Sequence, residues 1–282
     1  MKWLFALLLA VVIFGSAAFF GYHIIVKPEL AVRAEQRGEV QEEPQADASL
    51  PEFQAAAKLR QEGKLAEARS ALTMFLQKFP SGQHSEEVKD LLGDVNMEIL
   101  LSKYPSPEKQ EYIVKRGDVL ARVAMKTKTT PELIMRTNNL NGIMLHIGER
   151  LLISHPEFSL FIQRKAHTVT LLDKGNFFKR YRIRTEKLPT TAKQTPRITA
   201  KVAEVQAWRD GKRVGFGSKE YRGSARWIRL TTPGYVLYPE ADAGRPPPGG
   251  VPPPPNGLGM AASEVEELSG LVNSKTAVTI TD

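Results

Sequence analysis

From Trp3 to Val26 the chain runs for 24 residues without a Lys, Arg, Asp or Glu. As a helix that run extends about 36 Å, more than the roughly 30 Å hydrocarbon core of a bilayer. So apolar a segment is a membrane span or a signal peptide. Ser16 and Ala18 could form a cleavage site, but Phe19, Phe20, Ile24 and Ile25 continue the apolar run beyond it, which favours an uncleaved anchor over residues 1–26. Lys2 on one side faces Lys27, Arg33 and Arg37 on the other, so loop charge alone does not set the orientation.

The rest of the 282 residues has ordinary globular composition, 42% hydrophobic and 25% charged, with room for about two domains at roughly 150 residues each. No cysteine is present. That excludes disulfides, thiolate zinc sites, iron–sulfur clusters and any cysteine nucleophile. The five histidines, at 23, 84, 146, 155 and 167, show no metal-ligand spacing, so neither metal nor cofactor is expected. The net charge of +8 is uneven, since residues 158–232 hold 18 Lys/Arg against 5 Asp/Glu. That region is built to meet anions.

Residues 27–52, rich in Glu, Gln, Ala and Pro, show no sustained apolar period and read as a linker. Leu65, Ala68, Leu72, Phe75, Leu76 and Phe79 then recur at helical spacing, Pro80 and Gly82 interrupt, and Val88, Leu91, Leu92, Val95 and Ile99 begin a second amphipathic helix. A helical hairpin is expected over residues 53–103. Gly63, Leu65, Ala68, Leu72 and Pro80 resemble the second half of a tetratricopeptide repeat. A lone repeat cannot bury its face, so the segment is a spacer packed on a neighbour or a groove for a protein partner, the spacer being favoured.

After Tyr104-Pro105-Ser106-Pro107, residues 111–120 read as a strand running into a Gly117-Asp118 turn, with Asp118 placed to cap a helix carrying Leu120, Val123 and Ala124. Thr130 before Pro131 starts a second helix, Leu133 and Ile134 give its apolar face, and Asn138-Asn139 ends it. Arg150–Ile153 is the closing strand. This strand–helix–helix–strand pattern, with Gly117-Asp-Val-Leu120 at the first turn and Ile147-Gly148-Glu-Arg-Leu151 before the last strand, resembles the LysM module over residues 111–154. LysM domains bind N-acetylglucosamine units of peptidoglycan or chitin. The resemblance implies a shallow groove with Gly117, Asp118, Val119 and Leu120 on one side and Asn141, Gly142, Ile143 and Met144 on the other. Turn amides there suit the acetamido group, and Leu120, Ile143 and Met144 suit its methyl. At any single position, turn or core duty is an equally good account.

From Phe158 the pattern is all-β, with strands at 158–162, 168–172 and 177–184 and hairpin turns at Asp173–Asn176 and Arg209–Lys212. A sandwich or barrel is expected. Arg180, Arg182 and Arg184 alternate with Tyr181 and Ile183, which sets three guanidinium groups on one face, either solvated or anion-binding. Gln194–Val202, Ala225–Tyr235 and Gly259–Val272 with Thr276–Ile280 resemble segments of L,D-transpeptidases, over residues 157–282. The fold class is therefore multidomain α+β: an N-terminal transmembrane helix, a helical hairpin, a βααβ LysM module and a mostly-β L,D-transpeptidase-like sandwich or barrel.

That family attacks a peptidoglycan stem peptide with a cysteine thiolate assisted by a histidine. Here the matching positions are Met260 for the cysteine and Tyr238 for the histidine, and the family's arginine is replaced by Ala262. A thioether cannot form an acyl-enzyme, and a tyrosine is a poor general base near neutral pH. Arg245–Asn256, with seven prolines, favours an extended or disordered loop where the active enzymes shape their cleft. Ser263 is the nearest replacement nucleophile, but Ser263-Glu-Val-Glu266 reads as a capping box, which occupies its hydroxyl. Gly257-Leu-Gly259 follows a proline run and not a strand, so it is no dinucleotide fingerprint.

Together these features point to an anchored cell-envelope protein that holds peptidoglycan through LysM and carries a catalytically inactive L,D-transpeptidase-like domain, its folded parts outside the cytoplasm. The alternative is a peptidoglycan enzyme with a replaced, non-cysteine active site. The basic region with Trp208, Trp227 and Tyr181 would also suit nucleic acid, but LysM and the export signal argue against that partner.

Overall fold

The computed structural model describes residues 47–103, 106–189 and 196–282. The anchor expected at 1–26 and the linker up to residue 46 lie outside the described residues. Among those described, no helix is long and apolar enough to cross a membrane.

Three helices open the described chain where a hairpin was expected: α1 (Leu50–Gln61), α2 (Leu65–Lys78) and α3 (Ser85–Leu101). The first starts inside the supposed linker because Pro51 sits in its first turn, where a missing N–H costs nothing. Pro80 and Gly82 separate α2 from α3 as their backbone preferences require. Ala56, Ala68, Leu72, Phe75, Val88, Leu92, Val95 and Ile99 form the core between the three helices.

Next come β1 (Lys109–Ile113), α4 (Leu120–Lys126), α5 (Pro131–Asn138) and β2 (Arg150–Ser154), with β1 and β2 paired antiparallel. The expected βααβ order is present, its first strand beginning two residues early. The Thr130 hydroxyl accepts the Leu133 N–H at 3.0 Å, and Asn139 ends α5 in the left-handed region, both as the sequence predicts. Asp118 does not cap α4: the cap position is Val119, which has no capping side chain.

The remaining strands are β3 (Phe158–Gln163), β4 (Thr168–Asp173), β5 (Asn176–Lys187), β6 (Arg197–Arg209), β7 (Lys212–Val214), β8 (Ala225–Leu230), β9 (Val236–Pro239), β10 (Gly257–Met260) and β11 (Ala277–Thr281), with helix α6 (Ala262–Ser269) before the last. Pairing runs β11-β3-β4-β5-β10-β9-β8-β6 and returns from β6 to β11, closing an eight-stranded barrel, while β7 extends β6 as a hairpin. Closure depends on the two long strands. β5 pairs with β4 through its first half and β10 through its second, and β6 passes from β11 to β8. No edge of the barrel proper is left open. Lys174-Gly175 and Asp210-Gly211 all have positive φ, as tight hairpin turns demand.

The three parts are packed as one body, residues 49–282. Met97 and Leu100 of α3 and Leu133 of α5 lie in the same core as Leu160, Tyr181, Ile228 and Val278 of the barrel. Asn96 donates to the Phe178 carbonyl at 2.8 Å, and Thr137 to that of Leu100 at 3.2 Å. The three alternating arginines are not a free anion site: all three are paired, the Arg180 side chain largely buried and Arg182 and Arg184 still exposed. Arg180 pairs with Glu86 and with Asp90 at 2.7 Å, Arg182 with Asp90 at 3.1 Å, and Arg184 with Asp242 at 3.5 Å. Acidic α3 thus lies on basic β5.

Candidate functional site

The first strand–helix turn is held by its own side chains. Asp118 accepts the Lys115 N–H at 2.8 Å and the Tyr112 hydroxyl at 2.7 Å, and these bonds, the backbone one first, hold its carboxyl below the usual aspartate range. The carboxylate is therefore committed to the turn. Gly117 has φ +87°, which a side chain rarely tolerates. Val119 is 51% exposed, whereas Leu120 is 2% exposed and belongs to the core with Val114, Val123, Ala124, Ile134, Leu151 and Ile153. Leu120 is thus a core residue, not a contact for a sugar methyl, because the first helical position it occupies faces the sheet.

At the other end of the module, Asn138 donates to the carbonyls of Ile134 and Leu152 and accepts the Leu152 N–H at 2.7 Å, fixing α5 to β2. Met144 projects into solvent at 79% exposure. Asn141, Gly142 and Ile143 line a different space, a cavity of about 1130 Å³ whose other walls come from α5, the β7–β8 connection, Arg226 of β8 and α6. There Ile143 is seated against Gly217, at which a Cβ would meet Ile143 Cδ1 at 2.9 Å. Of the eight residues expected to form one groove, then, three build the first turn, one is core, three face the barrel and one stands exposed.

The barrel brings Tyr238 and Met260 onto neighbouring parallel strands, Gly259 lying opposite Tyr238 and Met260 opposite Pro239. Met260 is 0% exposed and Tyr238 3%. The Tyr238 hydroxyl lies 3.3 Å from Thr185 Oγ1, directly over Gly259, where a Cβ would fall 2.2 Å from that Thr185 oxygen. Neither Tyr238 nor Met260 lines the large cavity.

Ser263 does line it, and it also lines a smaller, charged cavity of about 300 Å³ beside Lys179 and Arg182. The capping box expected there is absent. The cap of α6 is Ala261, with no capping side chain, two residues before the expected Ser263 cap, because the helix starts directly after β10 ends at Met260. No histidine lines either cavity, so a base to activate Ser263 would have to be a carboxylate or a lysine such as Lys179.

Nor is the proline-rich loop 245–256 simply extended. Pro248–Gly250 forms a 3-10 turn, and the Gly211 N–H donates to the Gly249 carbonyl at 2.9 Å. Gly249, at φ +71°, rests so closely on β6 that a Cβ would meet the Trp208 carbonyl oxygen at 2.6 Å. Glycine is required there on both counts, and the loop is pinned to the β6–β7 hairpin.

The cavity also holds residues that sequence reasoning passed over. Tyr221 donates to Glu132 at 3.0 Å, and burial, then the Glu132 charge, push its phenol up to about 12. The Arg226 guanidinium lies 3.6 Å from the Tyr221 ring centroid. Its signal was visible, since Arg226 shares the period-two inward face of β8 with Ile228 and Leu230.

Residues 112–154 match the LysM domain family. The barrel and its helices resemble solved L,D-transpeptidases: one from Enterococcus faecium (15% identity, 44% of this chain and 49% of that one, TM-score 0.29), one from Mycobacterium smegmatis (12%, 49% and 65%, 0.30), and L,D-transpeptidase 1 of Mycobacterium tuberculosis (11%, 48% and 67%, 0.29). The chain spans about half to two thirds of these proteins. Likenesses at this level carry no argument about chemistry. Residues 112–154 thus form a module that matches the LysM domain family, beside an eight-stranded barrel.

Proposed function

We propose that the protein is a membrane-anchored envelope protein that binds the N-acetylglucosamine units of peptidoglycan through LysM and leaves the polymer chemically unchanged. The LysM match over residues 112–154 carries this reading. Residues 1–26 would supply the anchor, with everything after residue 27 outside the cytoplasm, where wall glycan is found. The exposed Val119 and Met144 and the turn amide at Gly117 offer apolar and polar contacts to a neutral sugar, the Asp118 N–H being taken by the Lys115 carbonyl. The barrel serves as scaffold or second binding surface. Supporting that role, a thioether stands at Met260 and a phenol at Tyr238, both buried, and no cysteine is available elsewhere.

Sedimentation of residues 47–282 with purified peptidoglycan tests the binding. The helices must be included because Met97 and Leu100 complete the barrel core. Retention in the pellet, competed by N-acetylglucosamine oligomers, is the expected result; a protein left in the supernatant would refute it. Reporter fusions at Asp282 test the topology, with an extracytoplasmic reporter active and a cytoplasmic one silent.

A further inference from the structure

We propose that the cavity between the LysM loop and the barrel is an anion site, one that takes the phosphate group of a phosphomonoester on the cations gathered around Tyr221. This goes beyond glycan binding and does not depend on it.

Arg226 is 2% exposed, donates Nη1 to the Ser224 carbonyl at 3.0 Å and to the Ser224 hydroxyl, and stacks on Tyr221 with its guanidinium 3.6 Å from the ring centroid. Its buried Nε has no hydrogen-bond partner. Among the described residues no carboxylate lies within ion-pair distance of it. A guanidinium removed from water without a counter-charge is costly, and a bound anion relieves that cost.

Three further cations are placed around the same tyrosine. Lys219 and Tyr221 bound a single 3-10 turn, and Arg222 follows it at once. Arg136 stands one helical turn after Glu132 on α5, so it shares a face with the carboxylate that accepts the Tyr221 hydroxyl at 3.0 Å. Arg136, Lys219 and Arg222 all line the cavity, and none has an ion pair among the described residues. Of the acids lining it, Glu267 is taken by Lys179 at 3.0 Å, which leaves Glu132 and Glu266 to face these three cations and Arg226. That excess of positive charge matches the dianion of a phosphomonoester better than a singly charged carboxylate. Planar guanidinium groups add paired hydrogen bonds to phosphate oxygens. Met135, Leu140, Ile143 and Phe216 supply apolar wall, and a volume of about 1130 Å³ leaves room for the organic part of the ester.

The test uses the full chain reconstituted in phosphatidylcholine nanodiscs, with phenyl phosphate as probe, benzoate and phenol as controls and binding read by calorimetry well above the second phosphate pKa of about 6. Phenyl phosphate is expected to bind about tenfold more tightly than benzoate, the scale of one charge-assisted hydrogen bond, and inorganic phosphate should displace it; phenol should not bind measurably. The Lys219→Ala/Arg222→Ala double variant, at exposed positions, should lose a similar factor. Arg226→Lys keeps the charge and loses the planar fork, so it should bind more weakly while remaining folded by circular dichroism. Phosphatidic acid included in the nanodiscs displaces phenyl phosphate where the ester is a lipid headgroup, whereas undisturbed binding assigns the site to a soluble ester; each result supports a phosphate site. Phenyl phosphate bound no more tightly than benzoate, or an unchanged affinity in the double variant, would overturn the proposal. Binding of N-acetylglucosamine oligomers by the same variants should be unaltered, so failure here is distinguishable from failure of the LysM reading.

Discussion

Lys179 of β5 lies beneath Gly93 of α3 so closely that a Cβ on the glycine would come within 2.9 Å of the lysine Cγ and 3.3 Å of its Cα. The same lysine reaches Asp94 at 3.2 Å and Glu267 at 3.0 Å. The helical unit is thus locked to the barrel through space as well as charge, and its face is covered from within the chain.

The first prediction tests that lock. Gly93→Val, although it replaces a poor helix former, should lower stability by about 1–3 kcal/mol through overpacking. Urea unfolding followed by circular dichroism measures it. A variant as stable as the parent would mean that α3 is not seated on β5.

A second prediction concerns acid. Hydrogen bonds from Lys89 and then Arg180 hold the Glu86 carboxyl below its ordinary value of 4.5. Because the folded value is the depressed one, the stabilisation is fully present above about 4.5 and is lost as pH falls through the folded value. The pair is largely exposed on the Glu86 side, so the effect stays within about 1 kcal/mol. The urea midpoints of the parent and Glu86→Gln should differ at neutral pH and converge below that window. A difference independent of pH would contradict the assignment.

At β10, Gly259→Ala should destabilise the barrel because the new methyl would collide with Thr185 Oγ1. Thr185→Ala introduced alongside it should recover part of the loss, giving a coupling of roughly 0.5–3 kcal/mol in a double-mutant cycle. Strict additivity would place the two side chains apart.

For the glycan site, Val119→Asp and Met144→Asp should each weaken binding of N-acetylglucosamine oligomers without loss of structure, since both side chains are exposed. Leu120→Ala should instead cost about 2–5 kcal/mol of stability. Gly117→Val is a poor probe, because its positive φ would strain any replacement. Titration calorimetry together with thermal unfolding separates the effects; unchanged affinity in both aspartate variants would move the groove elsewhere.

Much of this arrangement was legible in the chain. The βααβ module, the Thr130 cap, the Asn139 terminator and both hairpin turns follow from local rules that act within a few residues. What escaped depends on partners far away in sequence. Arg180 and Arg182 read alike as a charged face until α3 supplies Glu86 and Asp90. Asp118 looked like a cap and instead serves Lys115 and Tyr112. Ser263 matched a capping box, yet α6 starts directly after β10, with Ala261 as its cap. Leu120 and Ile143 were assigned to one groove, and tertiary packing sends one to the core and the other toward Gly217. Arg226 could have been found from the register of β8, had an arginine on an apolar face been taken as a signal.

The central claim is that the protein holds peptidoglycan and leaves it intact. Incubating residues 47–282 with tetrapeptide-bearing muropeptides and analysing the mixture by mass spectrometry tests it most directly. No trimmed or cross-linked product is predicted, and none after Met260→Cys with Tyr238→His, because both positions are buried and Ala262 supplies no arginine. A product formed by the parent protein and lost on Ser263→Ala would show a serine enzyme and contradict the account.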